Sequence, residues 1–182
     1  AATVAVCATA LSGCSISTTS STTVPVVEPV ASSSPPPVLD LQLRVVESVG
    51  RAEPGSCPAL PSLTPDPAAT ATLCSNDGRL SYGLEKAAVT GQRVTSIEAL
   101  DSGGTPVIQI KLDAMGGTSL RSTTLRGSLA DPQPGLAIVT HGGVLAAPTM
   151  TEELDGGVLL VSGFESLEKA QEVVDYITAH PD

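Results

Sequence analysis

Leu41, Leu43 and Val45 alternate with Gln42 and Arg44, so residues 41–49 read as a half-buried strand with one polar face. Residues 93–100 and 105–112 repeat a strand-like pattern on either side of Asp101-Ser102-Gly103-Gly104, which is a hairpin signal. Residues 116–126 carry a weaker helical pattern, with Leu120 and Leu125 on its apolar side and Gly127 placed to end it. The wholly apolar run in residues 135–140 suits a central strand. His141-Gly142-Gly143 then turns the chain into a second strand at 144–147, which Pro148 ends. Gly156-Gly157 introduces another buried strand at 158–161. Ser166 caps an amphipathic helix: Leu167, Ala170, Val173, Val174 and Ile177 share one face, and Glu168, Lys169, Glu172 and Asp175 the other. Pro181 follows its end. Strands and helices mixed in this order predict an α+β fold: one domain, a largely antiparallel sheet, and helices packed on one face.

Between these elements the pattern breaks twice. Residues 50–76 form a long irregular insertion with prolines at 54, 58, 61, 65 and 67, closed by the turn Asn76-Asp77-Gly78. Residues 15–37 are almost entirely Ser, Thr, Val and Pro, with Glu28 as their one charge and Pro35-Pro36-Pro37 as a stiff run. Proline locks φ and removes a donor, and Ser/Thr bury too little apolar area to offset ordering entropy. This stretch is expected to be a disordered, extended tether, rising about 3 Å per residue where Pro-rich. A linker between two folded domains is the rival reading, but nothing foldable lies upstream of it in this sequence.

Leu11-Ser12-Gly13-Cys14 ends an apolar run of small residues. It resembles the lipobox of bacterial lipoproteins, in which a peptidase cuts before the cysteine and the sulfur is acylated. The resemblance implies that residues 1–13 are the remnant of a signal peptide and that residues 14–38 are a lipidated Cys14 with its tether. The apolar run is too short to span a bilayer and carries no charge. With no initiator Met and no basic segment before it, the upstream end of the signal is expected to be missing. The alternative is an ordinary signal peptide with an incidental cysteine. One acyl chain anchors weakly, whereas two or more on one cysteine anchor stably, so the membrane lipid itself is the first expected partner.

Residues 39–182 remain for the globular part, a normal length for one domain with a real core. The formal net charge of −10, with no clustered Lys/Arg, argues against nucleic acid and against docking on anionic lipid. Aromatic residues are confined to Tyr82, Phe164 and Tyr176, which disfavours stacking surfaces and aromatic carbohydrate sites. Cys7 lies in the signal and Cys14 carries lipid, leaving Cys57 and Cys74 as an even pair in an exported domain. They predict a disulfide that orders the Pro-rich loop between them, worth about 3 kcal/mol in the chain-entropy model. A zinc site is the alternative, but the spacing is wrong and no histidine is near.

The residues assemble no catalytic constellation. Gly-x-Ser-x-Gly, a phosphate loop ending in Gly-Lys-Ser/Thr and a Cys-His pair are all missing from the sequence. His141 in a tight turn and His180 in the tail read as solvated, and a histidine base would need an orienting carboxylate within reach. Glu152, Glu153 and Asp155 cluster between two strands; paired carboxylates suit a cation or acid–base chemistry, but here they read as a solvated turn, as do Asp66 and Asp77 in their loops. The expectation is a protein without catalytic residues, metal or cofactor.

From Tyr82 the order of motifs becomes that of a known family. Tyr82-Gly83-Leu84, residues 89–94 (Val-Thr-Gly-Gln-Arg-Val) and residues 106–112 (Pro-Val-Ile-Gln-Ile-Lys-Leu) lead to residues 136–139 (Leu-Ala-Ile-Val) and 143–148 (Gly-Val-Leu-Ala-Ala-Pro). Gly156-Gly157 and residues 161–170 (Val-Ser-Gly-Phe-Glu-Ser-Leu-Glu-Lys-Ala) follow. Over residues 82–178 this resembles the head of the first extracytoplasmic domain of SecD, in the SecDF family: apolar strand, turn, strand ending in Ala-Pro, Gly-Gly, strand, Gly-x-Phe, helix. SecD usually carries Asp-Gly-Lys in the turn, where this chain has His141-Gly142-Gly143. No run in the sequence suits a transmembrane helix, and so none places a carboxylate in the membrane to use a proton gradient. The resemblance therefore implies a detached head on a lipid tether, one that contacts emerging preproteins and binds without pulling.

The expected function is a non-catalytic binding or accessory module, lipid-anchored outside the bacterial cell membrane. It would hold an exported polypeptide or a membrane complex through a sheet edge or an apolar groove. The candidate surfaces are the hairpin at residues 135–148, with His141, Gly142, Gly143 and Val144 at its turn, and the loop at 54–73. The alternative is a structural envelope lipoprotein, or a fixed subunit of a complex unrelated to Sec. An unrecognised hydrolase is a third reading, and it needs a pocket joining His141 to Glu152, Glu153 and Asp155.

Overall fold

The computed structural model describes residues 39–60 and 62–179, which fall in one compact unit. Cys7, Cys14, the tether, His180 and Pro181 lie outside the described residues. The fold is α+β and its ladders are antiparallel, divided between two sheets. The first has the order β2-β3-β1-β6-β7, built from β1 (Gln42–Arg51), β2 (Ala71–Cys74), β3 (Leu80–Thr90), β6 (Leu136–Thr140) and β7 (Gly143–Ala146). The second, β4-β5-β8, is built from β4 (Val94–Ser102), β5 (Thr105–Leu112) and β8 (Val158–Ser162). Two helices, α1 (Ala114–Ser128) and α2 (Leu167–Thr178), complete the fold. Among the described residues no helix is long and apolar enough to cross a membrane.

The first sheet curls until its end strands meet. Ser75, just past β2, bridges to Val144 of β7, and the Asn76 amide donates to the Val144 carbonyl at 3.1 Å. One face of all five strands therefore turns inward, where Val46, Leu84, Ala137, Val139 and Val144 pack with Leu73 and Tyr82. The other face forms the larger core. Leu43, Val45, Val89, Leu136 and Ile138 meet Ile108, Ile110, Leu159 and Val161 of the second sheet, with Leu120 of α1 and Ala170, Val174 and Ile177 of α2 between them. Such fully buried aliphatic side chains each contribute about 2 kcal/mol of transfer free energy.

Strand β1 departs from the alternation that predicts one polar, solvated face. Gln42 and Arg44 are buried too, because residues 62–69 fold over that face. The Arg44 guanidinium donates to the carbonyls of Asp66 (2.8 Å), Ala69 (2.7 Å) and Glu85 (2.9 Å) and to Gln42 Oε1 (2.7 Å). Burial pulls its pKa below the ordinary value, while the Asp66 charge opposes that shift. A fork of fixed N–H groups suits this work, since it reaches two loop carbonyls and one of β3 at once.

Five further elements differ from their sequence expectation. The irregular stretch 50–76 contains β2, and residues 80–90, which have no clear pattern, form the long strand β3. Helix α1 starts earlier than residue 116 because Asp113 caps it: Asp113 Oδ1 accepts from the Gly116 amide at 2.7 Å. It also continues through Gly127, whose missing side chain leaves room for Met150 to lie across the helix. Its buried stripe is Gly116, Leu120, Thr123, Thr124 and Gly127, and Leu125 is 41% exposed. Strand β6 is fully buried but second from the end of its sheet, because β1 takes the middle. Strand β8 is an edge with one buried face, so Leu159 and Val161 point inward and Leu160 is 53% exposed.

The 101–104 hairpin joins β4 to β5 as expected, and α2 begins at the Ser166 cap, whose hydroxyl accepts from the Lys169 amide at 3.2 Å. Within α2, Ala170, Val174 and Ile177 are buried, while Leu167 in its first turn is left exposed. A single 3-10 turn, Gly91–Arg93, follows β3, and its first residue rests on the main chain of Leu39.

Candidate partner-binding site

The turn between β6 and β7 is a fastened interior corner. His141 has φ 48° and Gly142 φ 75°, and His141 is 4% exposed. Its Nδ1 lies 3.3 Å from Asp40 Oδ2 and its Nε2 lies 3.1 Å from the Tyr176 carbonyl, while the ring stands edge-on to the Tyr176 ring at 4.6 Å between centroids. Asp40 Oδ2 also accepts from the His141 main-chain amide (2.9 Å) and the Thr64 hydroxyl (2.6 Å). The reading of His141 as solvated is therefore corrected. Its carboxylate partner is present, but its other nitrogen meets a helix carbonyl and the corner is closed.

The same holds for the rest of the candidate surface. Gly142 donates to Thr64 Oγ1 at 3.1 Å, and a Cβ there would stand 2.9 Å from the Ser62 carbonyl. Gly143 lies under Leu60, and Val144 is in the small core. All four residues from His141 to Val144 are buried by the loop packed over them, so the turn offers a partner no surface in this conformation. The loop is the outer wall. Cys57 and Cys74 are joined by a disulfide with Cα atoms 5.8 Å apart, and Arg44, Gln42 and Asp40 hold its residues 64–69 from below.

The acidic cluster is tied to α1. Arg121 pairs with Glu153, and this contact, with Asp155 adding to it, holds the guanidinium above its ordinary pKa. The Leu154 amide donates to Thr124 Oγ1 at 2.9 Å. Glu152 and Asp155 open onto two different cavities, and His141 lines neither, so the pocket a hydrolase reading requires does not form there. Among the described residues no group of His, Cys, Asp and Glu gathers that could hold a metal ion.

What the sequence leaves unseen is where the sheets stop. The curl of the first sheet brings its two end strands together. The second sheet has no such closure: among the described residues β4 and β8 each pair only with β5, which leaves one open edge apiece. Neither strand carries a residue pattern that marks it as an edge, because the difference lies in how a distant sheet closes.

The family model of the SecDF P1 head subdomain matches residues 70–179. Among solved structures, the fold is similar to a crystal structure of SecDF in its super-membrane-facing form, with 20% sequence identity and a TM-score of 0.52. That likeness covers 80% of this chain and 19% of the other. A second SecDF structure, of the membrane component that enhances protein export, is 20% identical with a TM-score of 0.51, over 80% of this chain and 64% of that one. The chain thus spans about a fifth of the first SecDF chain and less than two thirds of the second. No curated protein matches.

Proposed function

The chain belongs to the SecDF P1 head family, and from that membership we propose that it is a non-catalytic binding module acting in protein export, held outside the cell membrane by a lipid on Cys14. The observation that carries this reading is the family match across residues 70–179, which includes both helices and seven of the eight strands, all but β1. Two features support it. A structurally similar SecDF is described as enhancing protein export, and the second sheet leaves main-chain edges open to an extended partner. In this reading residues 1–13 are the signal remnant, 14–38 the tether that gives the head its reach, and 39–182 the binding domain. Its partners are the membrane lipid and a polypeptide.

Crosslinking and affinity purification of the protein from its native membranes, beside a Cys14→Ala control, test this. Recovery of nascent exported chains or translocase components, lost in the control, is the expected result. Recovery of one unrelated membrane complex at fixed stoichiometry would overturn it in favour of a structural subunit.

A further inference from the structure

The Leu112 amide donates to the Gly157 carbonyl at 2.8 Å, one step beyond the Lys111–Val158 pair of the β5–β8 ladder. Hydrogen-bonded and non-bonded pairs alternate along an antiparallel ladder. Leu159 and Val161 therefore face β5 with their main-chain groups, and Val158, Leu160 and Ser162 turn theirs to the open side. A cavity of about 160 Å³ lies against that side, lined by Leu136, Met150, Leu154, Leu159 and Leu160, with Glu152 among its walls. Adjacent residues of a strand point to opposite faces. A cavity touching both Leu159 and Leu160, and no residue of β5, thus sits on the strand's free edge and not on one face of the sheet.

From this geometry we infer that the edge of β8 takes an extended polypeptide segment as a fourth strand of the second sheet. The inference rests on the binding reading above and names its site and the segment it fits. The main chain of the segment pairs with Val158, Leu160 and Ser162. One of its side chains, on the core side beside Leu159, enters the cavity. A volume of roughly 150 Å³ holds a benzene-sized group. Thr124, Thr149 and Thr151 share the walls with the aliphatic side chains, but Leu136, Met150, Leu154 and Leu159 make a branched aliphatic or aromatic side chain the best fit. With Glu153 held by Arg121, Glu152 is the carboxylate left at the rim, and the chain as a whole carries −10. Charge complementarity therefore selects a lysine or arginine near the apolar residue. The edge of β4 offers the same main-chain groups, but no cavity described beside the sheet is lined by β4 residues.

The probe is a synthetic heptapeptide, capped at both ends, alternating threonine and valine around a central leucine and flanked by lysines. Added to the full chain, it should slow amide hydrogen exchange at Val158, Leu160 and Ser162 and leave β4 unchanged. N-methylation of the peptide amides on its pairing edge should abolish that protection, whereas methylation of the opposite edge should preserve it; neither control alters the protein. Glu152→Lys should weaken the lysine-flanked peptide by about fivefold, the upper range for an exposed ion pair, and strengthen a glutamate-flanked one. Protection elsewhere, equal binding of both methylated peptides, or protection of β8 that rises with protein concentration alone would overturn the inference; the last would mean a second copy covers this edge. If native membranes yield crosslinked exported chains while the peptide leaves β8 unprotected, this inference fails and the broader function stands. If β8 is protected and no exported chain is captured, the site stands and the export reading fails.

Discussion

Asp40 and His141 lie 101 residues apart and meet twice, side chain to side chain at 3.3 Å and carboxylate to main-chain amide at 2.9 Å. Because His141 also reaches the Tyr176 carbonyl, the first described residues of the domain and the last turn of α2 are fastened to one imidazole. Removing that ring leaves the Tyr176 carbonyl without it. His141→Ala should lower stability by about 2–3 kcal/mol and speed amide exchange at the end of α2, read by denaturant unfolding and hydrogen exchange. An unchanged α2 would show that the helix is held by its apolar face alone.

Arg44 orders a loop that composition alone would leave loose. Arg44→Met removes the donors to Asp66, Ala69 and Glu85 and should cost about 3 kcal/mol. Proteolysis should then cut near Leu63, which is already 93% exposed, before the rest of the domain. Arg44→Lys should not restore resistance, since one ammonium cannot span the carbonyls that a guanidinium fork reaches.

The disulfide and Arg44 hold different parts of the same loop. Replacing Cys57 and Cys74 with serine should cost about 3 kcal/mol, yet residues 64–69 should stay protected from proteolysis. Cleavage throughout 58–69 in that variant would mean the covalent link is the main staple.

Gly91 carries a packing requirement at the base of β1. Any Cβ there would overlap the Leu39 carbonyl, which is main chain and cannot swing aside. Gly91→Ala should destabilise by about 3 kcal/mol, with enhanced exchange at Leu41 and little change in the second sheet. A thermal scan beside exchange data separates this from general loss of structure.

Asp113 caps α1 and pairs with Arg93 at 3.1 Å, and the Gly116 amide first, then Arg93, holds its carboxyl below the ordinary carboxylate pKa. Its contribution is thus present above the unfolded value of about 3.9 and is lost as pH falls through the lower folded value. Asp113→Asn keeps a capping oxygen without the charge. The variant should melt below the parent at neutral pH and converge with it in acid; a gap that persists below about pH 2 would refute the charge argument.

The parts of this fold legible in sequence are those where one face meets solvent. The 101–104 hairpin and the Ser166-capped helix follow from turn residues and amphipathic spacing, and both form where expected, with Leu167 alone of the helix's predicted apolar face left exposed. Gln42 and Arg44 mislead because alternation assumes the polar face is wet, whereas a loop twenty residues or more away covers it. Helix α1 is faint because, apart from Leu120, its buried stripe is glycine and threonine, which allow close approach without adding hydropathy. His141 looks like an exposed turn residue, since nothing local announces that Asp40 and Tyr176 converge on it. The open edge of β8 is invisible for the same reason: its neighbours are decided by the closure of the other sheet.

The place of β1 in the middle of the curled sheet has a mechanical meaning. Leu39 leads through a tight bend at Asp40 into a strand paired with β3 on one side and β6 on the other. Ladder hydrogen bonds lie across the strands, so a pull delivered through Leu39 along β1 loads both ladders in shear, and their bonds must fail together. A strand on the rim of a sheet would instead peel from its neighbour one pair at a time. Tension applied at Leu39 would therefore meet strand pairing on both sides of β1 at once.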